Sequence, residues 1–87
     1  MKYEYQTQGT CSTAIEIETK EENGREVIDE VRFTGGCNGN LQGLGALVKG
    51  MTPEEVIARV EGIRCKTKPT SCPDQLARAL KDMMKSR

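Results

Sequence analysis

The 87-residue chain carries thirteen Lys and Arg against thirteen Asp and Glu, so no net field draws it toward nucleic acid or anionic lipid. Only 36% of its residues are apolar, with one Phe, two Tyr and no Trp, which gives a thin core of the kind that a metal or disulfides often staple. The start MKYEYQTQ has no apolar stretch of the secretory kind and no apolar run approaches the ~20 residues that span a bilayer, so the expected location is the cytoplasm, away from membranes.

Lys2 to Gln6 alternates, with Tyr3 and Tyr5 on one side, as a short strand does. Thr13 to Thr19 repeats the pattern, with Ile15 and Ile17 on one face and Glu16 and Glu18 on the other. The stretch KEENG ends in Asn23-Gly24, a strong hairpin signal. Beyond it Val27, Asp29, Val31 and Phe33 alternate with Ile28, Glu30 and Arg32, predicting a third strand.

From Gly35 to Gly50 the chain holds six glycines, yet Leu41, Leu44, Leu47 and Val48 fall at helical spacing. An internal glycine costs a helix about 1 kcal/mol relative to alanine. Gly43 and Gly45 therefore need a reason, for which close packing of the helix backbone against the sheet is one candidate. Thr52, Pro53 and Glu55 form a helix start with a capping box; Val56, Ile57 and Val60 give its apolar side and Gly62 its end. A last helix runs from about Pro73 toward Lys85, with Ser71 or Cys72 in the cap region, Pro73 first and Asp74 in the first turn. Leu76, Ala79, Leu80, Met83 and Met84 make its stripe, read as core. The sum is an α+β domain over residues 1–87, a three-stranded antiparallel sheet followed by three helices packed on one face.

The cysteines are Cys11, Cys37, Cys65 and Cys72, and the chain has no histidine. In a reducing compartment such a set reads as metal-binding or redox-active before it reads as disulfides. No Cys-x-x-Cys pair is present, so spacing alone is a moderate signal. Topology strengthens it. A hairpin folded about Asn23-Gly24 puts Cys11 roughly across from Gly36 and brings Cys37 to the same open end. Cys65 and Cys72 flank a loop ahead of the last helix. All four sit at element boundaries rather than in apolar stripes, where incidental core cysteines would fall.

Gly35, Gly36 and Gly39 around Cys37 could let the backbone approach a metal, or could serve a turn that needs positive φ. Without histidine, zinc would take four cysteines, or three with a carboxylate or water. A tetrathiolate site is structural, with a formal charge of about −2 that Arg64, Lys66 and Lys68 could offset. GLGALVKG matches neither phosphate-loop pattern. No Ser/His/Asp or Cys/His arrangement is possible, and no pair of carboxylates stands out, so enzymatic activity of the chain on its own is not expected.

Thr70-Ser71-Cys72-Pro73-Asp74 reads TSCPD, and with GTCS around Cys11, GGCNGNLQGLGALVKGM around Cys37 and IRCKTKPTSCPDQLA around Cys65 and Cys72 the chain resembles the TSCPD-domain family of small four-cysteine proteins. The same domain is found at the C-terminus of adenosylcobalamin-dependent (class II) ribonucleotide reductases, so the resemblance implies an association with that enzyme class. A fainter resemblance is to the U-type (NifU-like) iron–sulfur scaffold proteins, in the order of Cys11, Cys37 and Cys65 and in the run Leu47 to Glu55. There the scaffold's aspartate is Thr13 here, its histidine is absent and Cys72 is extra. The leading expectation is one structural zinc on Cys11, Cys37, Cys65 and Cys72 in a module that acts through a protein partner, with a ribonucleotide reductase as candidate. An iron–sulfur scaffold or carrier, and a thiol–disulfide relay for such a reductase, are the alternatives.

Overall fold

Asn23 and Gly24, with φ of 53° and 80°, make the predicted two-residue turn, whose left-handed pair matches the twist of the strands it joins. In the computed structural model, which describes residues 2–7, 12–35, 38–64 and 70–86, this turn links β2 (Ser12–Glu22) to β3 (Arg25–Gly35). β1 (Lys2–Gln6) pairs with β2 on the other side, giving an antiparallel sheet of order β1-β2-β3. Three helices follow: α1 (Asn38–Val48), α2 (Pro53–Val60) and α3 (Cys72–Lys85). The predicted α+β architecture is the observed one.

Two register shifts interrupt the β2–β3 pairing, one at Thr13 of β2 between Ser12 and Ala14, and one on β3. The register passes from Glu18–Glu30 to Thr19–Ile28, so Asp29 is an extra residue on β3 and forms a bulge. Val31 and Phe33 lie opposite Ile17 and Ile15, but on the turn side of the bulge Ile28, not Val27, takes up that face. The expectation that Val27 shares a face with Val31 is corrected, and Val27 and Ile28, neighbours in sequence, are both buried.

The core joins Ile15, Ile17, Ile28 and Val31 of the sheet to Val48 of α1, Val56 of α2 and Leu76, Ala79, Leu80 and Met83 of α3. The α3 stripe is therefore core, as predicted. Tyr3, half-buried on β1, donates from its hydroxyl to Asp82 Oδ2 of α3 at 2.9 Å. The other sheet face is charged. Arg32 lies 3.1 Å from Glu30, 3.3 Å from Glu18 and 4.0 Å from Glu16. Such exposed pairs contribute about 0–1 kcal/mol each, so this face favours solubility more than stability.

α2 begins with the predicted capping box: Thr52 N–H donates to Glu55 Oε1 at 2.9 Å and Glu55 N–H to Thr52 Oγ1 at 3.2 Å. These bonds hold the Glu55 carboxyl below its ordinary pKa. Gly62 follows the helix with φ of 87°. Between α1 and α2 the chain turns along the outer edge of β3. Ile28 N–H donates to Met51 O at 2.8 Å, and Gly50 N–H donates to Ile28 O at 2.9 Å.

Gly43 and Gly45 of α1 prove unlike. A Cβ on Gly45 would come within 2.9 Å of the Val31 carbonyl oxygen, whereas one on Gly43 would meet nothing within 4 Å. Close approach to the sheet explains Gly45 only. It also explains why Leu47 is 78% exposed, against the expectation that it joins the core stripe. With Gly45 against β3, the inward line is Leu41, Gly45 and Val48; Leu47, two residues from Gly45, is turned about 200° away. Gly45→Ala should therefore destabilise the fold by about 1–3 kcal/mol despite alanine's better propensity, because backbone cannot yield cheaply. Gly43→Ala should stabilise it by up to about 1 kcal/mol. Urea unfolding of the two variants checks the opposite signs, and a stabilised Gly45→Ala would show that α1 does not press on β3.

Candidate functional site

The start of α3 is built from five consecutive residues, each with a separate task. Ser71 is the N-cap, in extended conformation; its Oγ accepts from Asp74 N–H at 3.2 Å and donates to Ile63 O at 2.6 Å. Cys72 is the first helical residue and Pro73 the second, a shift of one from the expectation that Pro73 comes first. Thr70 donates its hydroxyl to Asp74 Oδ2 and accepts from Gln75 Nε2 at 3.0 Å. Asp74 accepts from Gly62 N–H at 2.7 Å through Oδ1, and its Oδ2 lies 3.2 Å from Arg78 Nε.

These bonds tie Gly62 and Ile63, just after α2, to Thr70, Ser71 and Asp74 at the head of α3. The chain between them is thereby closed at its neck. Asp74 is 4% exposed and sits in the middle of the closure. Burial alone would raise its pKa, but the Thr70 and Gly62 hydrogen bonds and the Arg78 guanidinium outweigh it and hold the carboxyl below its ordinary value. The carboxylate is thus the structural form.

Cys72 is buried beside this neck. The first turn of a helix presents N–H groups and the positive end of the dipole, which favour a thiolate over a thiol. Soft thiolate sulfur suits zinc or an iron–sulfur cluster, so the placement of Cys72 fits either group. Cys11, Cys37 and Cys65 lie outside the described residues, as do Lys66 and Lys68; Arg64 is exposed. The last described pair at the open end of the hairpin is Ser12–Gly35, which in sequence directly follows Cys11 and precedes Cys37 by two positions. Gly35 has φ of 77°, the positive value that a turn demands, while Gly39 falls within α1. Among the described residues no three His, Cys, Asp or Glu side chains are grouped so as to hold a metal. Nor, among them, is any helix long and apolar enough to cross a membrane.

The closure itself escapes the sequence reading. Asp74 reads as an ordinary acidic residue in a first helical turn, because nothing local ties it to a glycine N–H twelve positions earlier. The available signal is Gly62 ending one helix and Thr70-Ser71 opening the next, with a single acceptor able to serve both ends.

A family model described as the TSCPD domain matches residues 1–84. No curated protein and no solved structure matches the chain. The match spans nearly the whole molecule and includes the pentapeptide at the head of α3, in which the threonine, the serine and the aspartate close the loop and the cysteine begins the helix: the chain belongs to the TSCPD domain family.

Proposed function

We propose that this protein is a metal-binding module of the cytoplasm, holding one structural zinc ion on Cys11, Cys37, Cys65 and Cys72 and acting through a protein partner. The observation that carries the reading is Cys72, buried at the N-terminus of α3 on a loop neck that hydrogen bonds already close. Cys65 follows Ile63 by two residues, a reach of at most about 7 Å along the chain. The neck thus ends two residues ahead of Cys65 along the sequence. The hairpin supports the other half of the set, since Cys11 and Cys37 flank its open end in sequence.

Zinc bound by four thiolates has no open coordination position, so its part would be to cross-link the hairpin end to α3 rather than to act on a substrate. The chain's own groups complete the arrangement: the α3 dipole favours thiolate at Cys72, and Ser71 and Asp74 hold that helix start in place. The partner proposed is a class II ribonucleotide reductase, supported by the occurrence of the same domain at the C-terminus of those enzymes.

Protein purified without oxygen should be colourless and carry one zinc per chain, and cobalt should replace it with intense near-UV thiolate bands and the visible bands of a tetrahedral site. A brown protein would instead establish the iron–sulfur reading. A metal-free protein with all thiols titratable would establish the redox relay. Octahedral, oxygen-bound cobalt would exclude the four-sulfur site.

A further inference from the structure

β1 is the outer strand of the sheet on the side away from β3. Its register with β2 pairs Tyr3 with Ile17 and Tyr5 with Ile15, and continues to Thr7, whose N–H donates to Thr13 O at 3.1 Å. Backbone groups of alternate residues point to opposite sides of an antiparallel strand. Tyr3 and Tyr5, like Thr7, therefore bond β2, and the N–H and C=O groups of Lys2, Glu4 and Gln6 point outward. Among the described residues none of these outward groups has a backbone partner. An open edge of this kind is a template for another strand.

The charges along the edge say which strand fits. Lys2 and Glu4, both exposed on the open sheet face, make no ion pair among the described residues. Across the β1–β2 pair Lys2 stands opposite Glu18 and Glu4 opposite Glu16, a like-charge contact that Arg32, 4.0 Å from Glu16, offsets only in part. The order Lys2-Tyr3-Glu4 is self-complementary when run antiparallel to itself.

The geometry points to a second copy of this chain as the occupant of the β1 edge, paired antiparallel about a two-fold axis through Tyr3. Lys2 then lies opposite Glu4 of the partner subunit, and Glu4 opposite Lys2 of the partner subunit. Both are residues whose backbone groups face outward, so the charge register and the hydrogen-bond register agree. The alternative register, with Lys2 opposite Gln6, would set Glu4 against its own copy and is disfavoured. The product is an isologous dimer with a continuous six-stranded sheet. The edge is short, so association is weak and depends on concentration.

Sedimentation equilibrium on the full chain tests it, with Lys2→Glu, Glu4→Lys and the double variant. The parent should pass from monomer to dimer with concentration. Each single variant, which places like charges opposite at two symmetric positions, should weaken dimerisation by about tenfold or more. The double variant reverses both signs and should return to within about threefold of the parent. Amide exchange adds a second reading: the Lys2 and Glu4 N–H groups should gain protection with concentration. A chain that stays monomeric up to about 1 mM, or a dimer indifferent to either charge reversal, overturns the proposal.

Discussion

Replacing Asp74 with alanine should lower the unfolding free energy by about 3 kcal/mol, a fall in melting temperature of roughly 12–24 °C for a domain of this size. The reason is the number of groups that one carboxylate serves. It accepts from Gly62 N–H and from the Thr70 hydroxyl, and it neutralises Arg78. Its removal leaves the part-buried Gly62 donor and the buried Thr70 hydroxyl without their acceptor, at up to about 1–3 kcal/mol each. Asp74→Asn keeps the shape and one acceptor and should cost about half as much. The pH dependence has a fixed sign. The folded-state pKa is below the unfolded value, so the contribution is complete above the ordinary carboxylate range and is lost as pH falls through the folded pKa. The alanine variant should show a flatter acid limb than the parent. If its Gly62 amide stayed as protected as in the parent, the closure would rest on other bonds.

The larger expected effect belongs to the thiols. Structural zinc in small domains contributes about 10–16 kcal/mol of apparent binding free energy at neutral pH, most of it felt as folding free energy. With a core as thin as this one, chelation should leave the chain largely unfolded. Cys37→Ser or Cys72→Ser should each melt far below the zinc-loaded parent. The two kinds of variant separate the roles at the head of α3. Asp74→Ala leaves all four sulfurs in place, so it should keep one metal per chain with an unchanged cobalt spectrum. Cys72→Ser should lose the four-sulfur spectrum. A Cys72→Ser protein that melted like the zinc-loaded parent would show that the four thiols do not share one site.

Most of the architecture was legible in the sequence because its signals are local. Asn23-Gly24 needs only its own dihedrals to make a hairpin, and Thr52 to Glu55 cap their own helix. What escaped depends on neighbours far along the chain. The bulge at Asp29 is invisible in a strand where Val27 and Ile28 are both apolar, since either could face the core. Leu47 has the right spacing for a stripe, but its exposure is decided by which side of α1 Gly45 presses on β3. The candidate site divides in the same way. Of the four cysteines that the sequence offers as a candidate set, Cys72 lies among the described residues and sits at a helix start as predicted. The Asp74 closure could not be read, because its partner is a backbone N–H, and every residue but proline carries one.

The segment Gly50-Met51, hydrogen-bonded to both polar groups of Ile28, has a consequence for how far copies of this chain can join. Strand addition at β1 leaves β3 as the rim of the enlarged sheet on either side, and that rim is occupied at Ile28 by the chain itself and flanked by α1 at Val31. A newcomer would have to displace two backbone hydrogen bonds to lengthen the array. Growth by edge pairing therefore terminates at two copies rather than propagating into a fibre, so the open strand carries little risk of polymerisation.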